Sequence, residues 1–308
     1  MSEKDDLQQA LMLLQAGKRK EAAAQLLNLE SRVKDKLLRL QTIGLALSVL
    51  DPIEDNKKLL LFSEEAIKTS QRFGDKDWQA NFMSRKADLL MNKISLLRYH
   101  QKNLKLASGW IEFSTEADKQ KYITLTSEIE KCEKEVSDLL TRALAFAEES
   151  GNQEALGNVF MSKASVESSR YMQYKMECMV GGFRTALWAN FRLMRYPFFE
   201  NLLIFPGAKG RMLEKLLDES TKASLKAAMI FEKLNDVTAG YTYYNLANHL
   251  KTAYRFRAAT AFLKKAKSIA DKHNELPLQN NIEVLKGAIT VKNKDIPDYI
   301  NGEVGRDL

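Results

Sequence analysis

The chain has 308 residues, of which 45% are hydrophobic and 28% are charged, and its formal net charge is +7. These proportions are ordinary for a soluble globular protein. Only 14 glycines and 5 prolines occur, so few residues interrupt a helix, and the composition favours long helices over strands. The two cysteines, Cys132 and Cys178, are too few for a disulfide framework.

The basic balance suits an acidic partner, nucleic acid or an anionic membrane surface. It also fits plain solubility, because the 47 basic and 40 acidic residues are mostly interspersed. The acidic start of the chain has no basic-then-apolar signal peptide, and no uncharged apolar stretch reaches the length of a membrane span. We therefore expect a cytoplasmic protein without a transmembrane segment.

The first half of the chain predicts helical hairpins. Residues 6–31 form the first, with its turn at Gly17, and residues 35–73 form the second, which Asp51-Pro52 divides because proline breaks a helix. Residues 77–149 carry two long apolar stripes at four and three spacing, which indicates an antiparallel, coiled-coil-like hairpin. Thr115, followed by Asp118, is expected to cap its second helix.

The second half continues in the same way. We expect another elongated hairpin over residues 153–233 and a shorter hairpin over residues 237–273. A capping helix is expected over residues 275–291, followed by a polar tail over residues 292–308. We expect about eleven helices in one continuous body over residues 1–291. A polar turn followed by a helix recurs three times, and each of these helices has an alanine at a similar depth: Ala87, Ala164 and Ala247. Such repetition is typical of stacked helical hairpins.

Residues 245–270 carry the clearest motif. Asn245-Leu246-Ala247, Leu250, Ala259, Leu263 and Ala266 lie at offsets that resemble the tetratricopeptide repeat, in which small residues let neighbouring helices approach closely. The resemblance implies an all-α array of antiparallel helical hairpins, an α-solenoid. The wide spacing of the central units departs from the usual repeat length and predicts elongated central hairpins. The resemblance also implies a scaffold or adaptor that binds a protein or peptide in a groove. The predicted groove residues are Asn81, Lys86, Asn158, Lys163, Asn245 and Arg255. The recurring asparagines are expected either to hold a peptide backbone or to bond neighbouring helices.

The segment 179–207 is rich in aromatic residues and arginine. If it is helical, Arg184, Trp188, Arg192 and Arg195 share one face, and Phe191 lies near another. Three interpretations stay open: additional core, a protein-binding surface, because Trp, Phe and Arg are enriched at interfaces, or a segment lying on an anionic membrane.

Motifs for catalysis are missing from the sequence. The three histidines, His100, His249 and His273, have no second metal ligand at a suitable spacing, and neither a Gly-x-Ser-x-Gly nor a P-loop motif occurs. We therefore predict a non-catalytic scaffold or adaptor with no cofactor and no metal. The alternative is a protein that binds nucleic acid or an anionic membrane surface through its basic charge.

Overall fold

The computed structural model describes residues 3–107, 115–180, 208–253 and 255–293. Within these ranges it contains eleven helices and no strand, which confirms the prediction of an all-α protein. The chain divides into two compact units, Met1–Ala155 and Leu156–Leu308. Buried hydrophobic side chains occur in both units. The single continuous body expected over residues 1–291 stays a prediction.

Consecutive helices are joined by short connections wherever the structure describes the connection. The first unit contains α1 (Glu3–Gln15), α2 (Arg19–Arg32), α3 (Lys36–Val49), α4 (Asn56–Phe73), α5 (Lys76–Ala107) and α6 (Glu116–Ser150). The second contains nearly all of α7 (Gln153–Val180), then α8 (Ala208–Lys233), α9 (Thr238–Thr252), α10 (Phe256–His273) and α11 (Leu276–Asn293).

The recurring polar turn has a physical basis in how helices end and begin. Gly74, Gly151 and Asn235 each follow the end of a helix with a positive φ, of 68°, 71° and 54° respectively. Glycine and asparagine adopt this left-handed conformation most readily. The next residue then accepts a backbone N–H of the following helix: Asp75 from Trp78 at 2.9 Å, Asn152 from Glu154 at 2.9 Å and Asp236 from Thr238 at 2.8 Å.

The two longest helices, α5 and α6, pack along each other in opposite directions. Polar contacts join Lys76 to Glu149, Lys93 to Glu128 and Gln101 to Thr126, so the partners run in reverse order. Between these contacts, fully buried Ile94 and Val136 belong to the core. The hydroxyl of Thr115 accepts the Asp118 N–H at 3.1 Å, which confirms the predicted cap.

Helices that are two positions apart in the chain also contact each other, and they do so in parallel register. In the first unit, the Arg85 guanidinium donates to the Leu47 carbonyl at 3.0 Å, and the Phe82 ring lies over Gly44. Both contacts join α5 to α3 at a separation of 38 residues. In the second unit, Thr242 contacts Met161 and His249 contacts Ser168, both at a separation of 81 residues, and these contacts join α9 to α7.

Small residues permit these close approaches. Ala87 and Ala247 are completely buried and Ala164 is nearly so. Two helical glycines lie still closer to their neighbours. A Cβ added to Gly157 on α7 would lie 2.8 Å from Cζ of Phe231 on α8. A Cβ added to Gly240 on α9 would lie 2.8 Å from Cδ2 of Leu278 on α11.

Gly157→Ala is expected to destabilise the protein by about 1–3 kcal/mol, because the added methyl group would overlap the buried Phe231 ring and force a shift in the core. Gly287→Ala is the matched control, since Gly287 lies inside α11 with nothing within 4 Å of the added Cβ. The control should stabilise by up to about 1 kcal/mol through helix propensity. Urea denaturation followed by circular dichroism measures both. Equal shifts for the two variants would contradict this packing.

Candidate partner-binding site

The three repeated asparagines lie on faces of helices that are turned away from the core. Asn81 on α5 and Asn158 on α7 are half-buried, and Asn245 on α9 is exposed. Each begins a row of accessible positions at helical spacing. The rows continue through Arg85, Asp88 and Asn92 on α5, through Met161, Ser165 and Ser169 on α7, and through Asn248 on α9. We call these rows the asparagine faces of α5, α7 and α9.

The asparagine faces are polar and chemically versatile. An amide side chain offers one acceptor oxygen and two donor hydrogens, so it can pair with both the N–H and the C=O of a peptide. Asn81 and Asn158 already take part in noncovalent contacts within the protein. Asn81 belongs to the first unit, whereas Asn158 and Asn245 belong to the second.

Lys86 lies in a different environment from the one that the sequence suggested. Its side chain is buried, and its ammonium bonds to Glu64 of α4 at 3.0 Å and to Glu135 of α6 at 2.7 Å. Burial alone lowers the pKa of Lys86, but the hydrogen bonds that the ammonium donates to Glu135 and Glu64 raise the pKa by more, and the net pKa is above its ordinary value. The ammonium therefore stays charged and joins three helices.

The other two predicted groove cations differ from each other. The guanidinium of Arg255, just before α10, bonds to both carboxylate oxygens of Glu214 on α8, at 2.8 and 2.9 Å. A single guanidinium nitrogen, Nη2, donates to both oxygens, and the pair joins the start of α10 to α8. Lys163 on α7 is half-buried. The structure thus gives Lys86 and Arg255 a role in joining helices.

A buried polar network on α7 and α9 was missed by the sequence analysis, which treated His249 as an isolated histidine. The Oγ of Ser168 lies 2.7 Å from Nδ1 of His249, and the Lys175 ammonium donates to the Thr252 carbonyl at 3.1 Å. The Tyr171 ring meets the imidazole edge to face, with centroids 5.2 Å apart. Ser168 and Lys175, seven residues apart on one face of α7, were the only sequence signal for this network.

Burial controls the ionisation of His249, which is 8% exposed. Burial lowers the pKa of the imidazole to about 4, and the charge of Lys175 contributes in the same direction. The ring is therefore neutral at neutral pH. Its Nε2 has no hydrogen-bond partner among the parts of the chain that the structure describes. The arrangement holds α7 against α9.

Several predicted features lie outside the described residues. These are the patch formed by Arg184, Trp188, Phe191, Arg192 and Arg195, and the side chain of Cys178. Cys132 lies within the described residues, where it is a buried free thiol whose pKa is raised by burial.

The described part of the chain presents neither a metal site nor a membrane-spanning helix. Within residues 3–107, 115–180, 208–253 and 255–293, no group of three or more His, Cys, Asp or Glu side chains could hold a metal ion. None of the helices in these ranges is both long enough and apolar enough to cross a membrane. No protein-family model matches the chain, and no curated protein matches it.

Proposed function

We propose that this protein is a non-catalytic scaffold or adaptor built from stacked helical hairpins, and that the asparagine faces of each unit bind an extended segment of a partner protein. The proposal has two parts. One concerns the architecture within each unit, and the other concerns which face of the hairpins binds.

The contacts within each unit support a hairpin array. α5 and α6 run in opposite directions, while α3 and α5 run in the same direction, as do α7 and α9. This alternation is what stacking of antiparallel hairpins produces, with first helices beside first helices. The capped left-handed turns after α4, α6 and α8 repeat the same chain reversal. Loop chemistry and helix register thus favour the same architecture, which resembles tetratricopeptide repeats.

One observation carries the binding proposal: an asparagine recurs at corresponding depth on α5, α7 and α9, and each lies on the accessible side of its helix. The buried sides of these helices are occupied by core residues such as Met83, Val159 and Leu246. An amide side chain on a rigid helix pairs well with the main chain of an extended peptide, whose N–H and C=O groups otherwise lose water without compensation.

Lys86 is excluded from the proposed contacts, because Glu64 and Glu135 already hold its ammonium. Arg255 and Lys163 are not assigned to the proposed contacts: one nitrogen of the Arg255 guanidinium already donates to both oxygens of Glu214, and Lys163 is half-buried. The proposed contacts are therefore Asn81, Asn158 and Asn245.

The experiment begins with peptides selected from a random display library on the immobilised full chain. Their affinities are then measured by fluorescence anisotropy for Asn81→Ala, Asn158→Ala and Asn245→Ala. Losing a pair of amide hydrogen bonds should weaken binding by roughly tenfold, which corresponds to about 1.4 kcal/mol. We expect every selected peptide to lose affinity with at least one of these variants.

Asn28→Ala is the matched control. Asn28 is also an accessible asparagine, but it lies on α2, the second helix of its pair. The control should bind the selected peptides as the unmodified chain does. The proposal is wrong if peptides bind and all three asparagine variants retain full affinity, or if Asn28→Ala weakens binding to the same extent.

A further inference from the structure

The net positive charge of the chain comes from its second unit. Residues 1–155 contain 24 Lys and Arg against 25 Asp and Glu, whereas residues 156–308 contain 23 against 15. The first unit is therefore nearly neutral, and the second has an excess of eight positive charges. An imbalance of this kind is an electrostatic property of one unit, and it identifies where an anionic partner would be attracted.

Within the second unit, α10 has the most uneven charge of the helices that the structure describes fully. Its only acid is Asp271, and five of its side chains are cationic and exposed. These are Arg257, Lys264, Lys265, Lys267 and Lys272. The opposite side of the helix is apolar and is buried in the core, as Phe256, Leu263 and Ala270 show.

The cations form a row along the helix. Arg257, Lys264 and Lys272 follow one another at seven and eight residues, which places them on one face of a helix with about 3.6 residues per turn. At about 1.5 Å per residue, the row is about 22 Å long. Two neighbouring lysines lie at its sides: Lys265 lies 5.2 Å from the centre of the Tyr243 ring, and Lys267 bonds to Glu283 at 3.1 Å. Within the row, Lys272 donates to the side-chain oxygen of Asn235, and Arg257 also takes part in a contact within the protein. Both side chains are nevertheless exposed, so their charges face solvent.

The excess of positive charge is smaller on the neighbouring helices: α8 has six cations against four acids and α11 has two against one, whereas α10 has five against one. On α8, Lys222 pairs with Asp218 at 2.7 Å and Lys215 approaches Glu219 at 3.9 Å. On α11, Lys286 pairs with Glu283. The strongest basic surface is consequently a row along one helix, and its shape matches a linear anion better than the plane of a bilayer.

The row also lacks what a protein or lipid partner would bury. Its intervening positions are small, at Ala261 and Ser268, and no large hydrophobic side chain of α10 is exposed. An acidic helix would find no apolar seam along α10, and α10 itself has no exposed large hydrophobic side chain to insert into a membrane. A nucleic-acid backbone needs no exposed apolar side chain, because its binding free energy comes from neutralised phosphates and released counterions.

We propose that the outer face of α10 binds the phosphate backbone of a nucleic acid, without sequence preference, through Arg257, Lys264 and Lys272. This activity is separate from peptide binding by the asparagine faces. It uses a different kind of chemistry, in which charge density matters more than hydrogen-bond geometry.

The test uses the full chain and a short mixed-sequence duplex DNA, with a second, unrelated duplex as a check of sequence preference. Arg257→Gln, Lys264→Gln and Lys272→Gln are combined in one variant. The control variant combines Lys215→Gln, Lys222→Gln and Lys233→Gln on α8, which removes the same net charge from exposed positions. Affinity is measured by fluorescence anisotropy over a range of salt concentrations, and circular dichroism checks folding.

The α10 variant should bind both duplexes at least about tenfold more weakly. The slope of its affinity against salt concentration should fall by about 0.9 for each phosphate that is no longer neutralised, or about 2.7 for three. The α8 control should keep most of the affinity and slope. Equal losses for the two variants would show that net charge alone acts, and would overturn the proposal. So would undetectable binding of the unmodified chain to either duplex, or binding confined to phosphatidylserine vesicles or to polyglutamate.

Discussion

Lys86→Glu is expected to lower the free energy of unfolding by about 3 kcal/mol, the largest effect of a single substitution that we predict. The change removes the cation that Glu64 and Glu135 share and places a third carboxylate between them, at a position that is 8% exposed. Breaking a buried ion pair costs about 3–5 kcal/mol. We take the lower end of that range because the two glutamates are partly exposed.

The chain offers a matched control seven residues further along α5. Lys93 pairs with the single carboxylate of Glu128, and both side chains are about a third exposed or more. Lys93→Glu should therefore cost about 1 kcal/mol or less. Urea denaturation followed by circular dichroism gives both values. Similar destabilisation by the two variants would contradict the role of Lys86 as the link among α4, α5 and α6.

Acid is expected to destabilise the second unit through His249. The pKa of this histidine is lowered to about 4 in the folded chain, and an unfolded histidine titrates near about 6.5. Above that pH the imidazole is neutral in both the folded and the unfolded state, so this histidine does not make the stability depend on pH. Below that pH the unfolded state binds a proton that the folded state does not bind. The free energy of unfolding therefore falls until the pH reaches about 4. The loss amounts to about 3 kcal/mol.

Carboxylates also titrate in this pH range, but they do so equally in the unmodified chain and in His249→Gln. Comparing these two proteins therefore isolates the effect of His249. The free-energy difference between the two proteins should change by about 3 kcal/mol from about pH 6.5 to about pH 4, in favour of the variant at low pH. Lys175→Met should raise the pKa of His249, because the Lys175 charge helps to lower it. An imidazole NMR titration midpoint near about 6.5 in the unmodified chain would contradict the prediction.

The sequence predicted the helices well because their signals are local. Heptad stripes, the Asp51-Pro52 break and the Thr115 cap each depend on residues a few positions apart, and the structure has helices ending or beginning at these points. The turn residues Gly74 and Gly151 were recognisable for the same reason: a left-handed position favours glycine whatever surrounds it.

The site was harder to predict because its contacts join residues that are distant in the sequence. The position of Lys86 in the repeat predicted that it would be a groove residue. Its partners Glu64 and Glu135 lie 22 and 49 residues away, and no local pattern pairs them. The same holds for Ser168 and His249, 81 residues apart. Side-chain direction on a helix is visible in the sequence, but which charges meet depends on how the helices stack.

The most direct test of the proposed function is a hydrogen–deuterium exchange footprint of a selected peptide on the full chain. We predict that the bound peptide slows exchange along one or more of the helices that carry the asparagine faces, α5, α7 and α9, and that exchange in α2 and α10 is unchanged. Protection confined to α2 or α10, with no change along α5, α7 and α9, would contradict peptide binding by the asparagine faces.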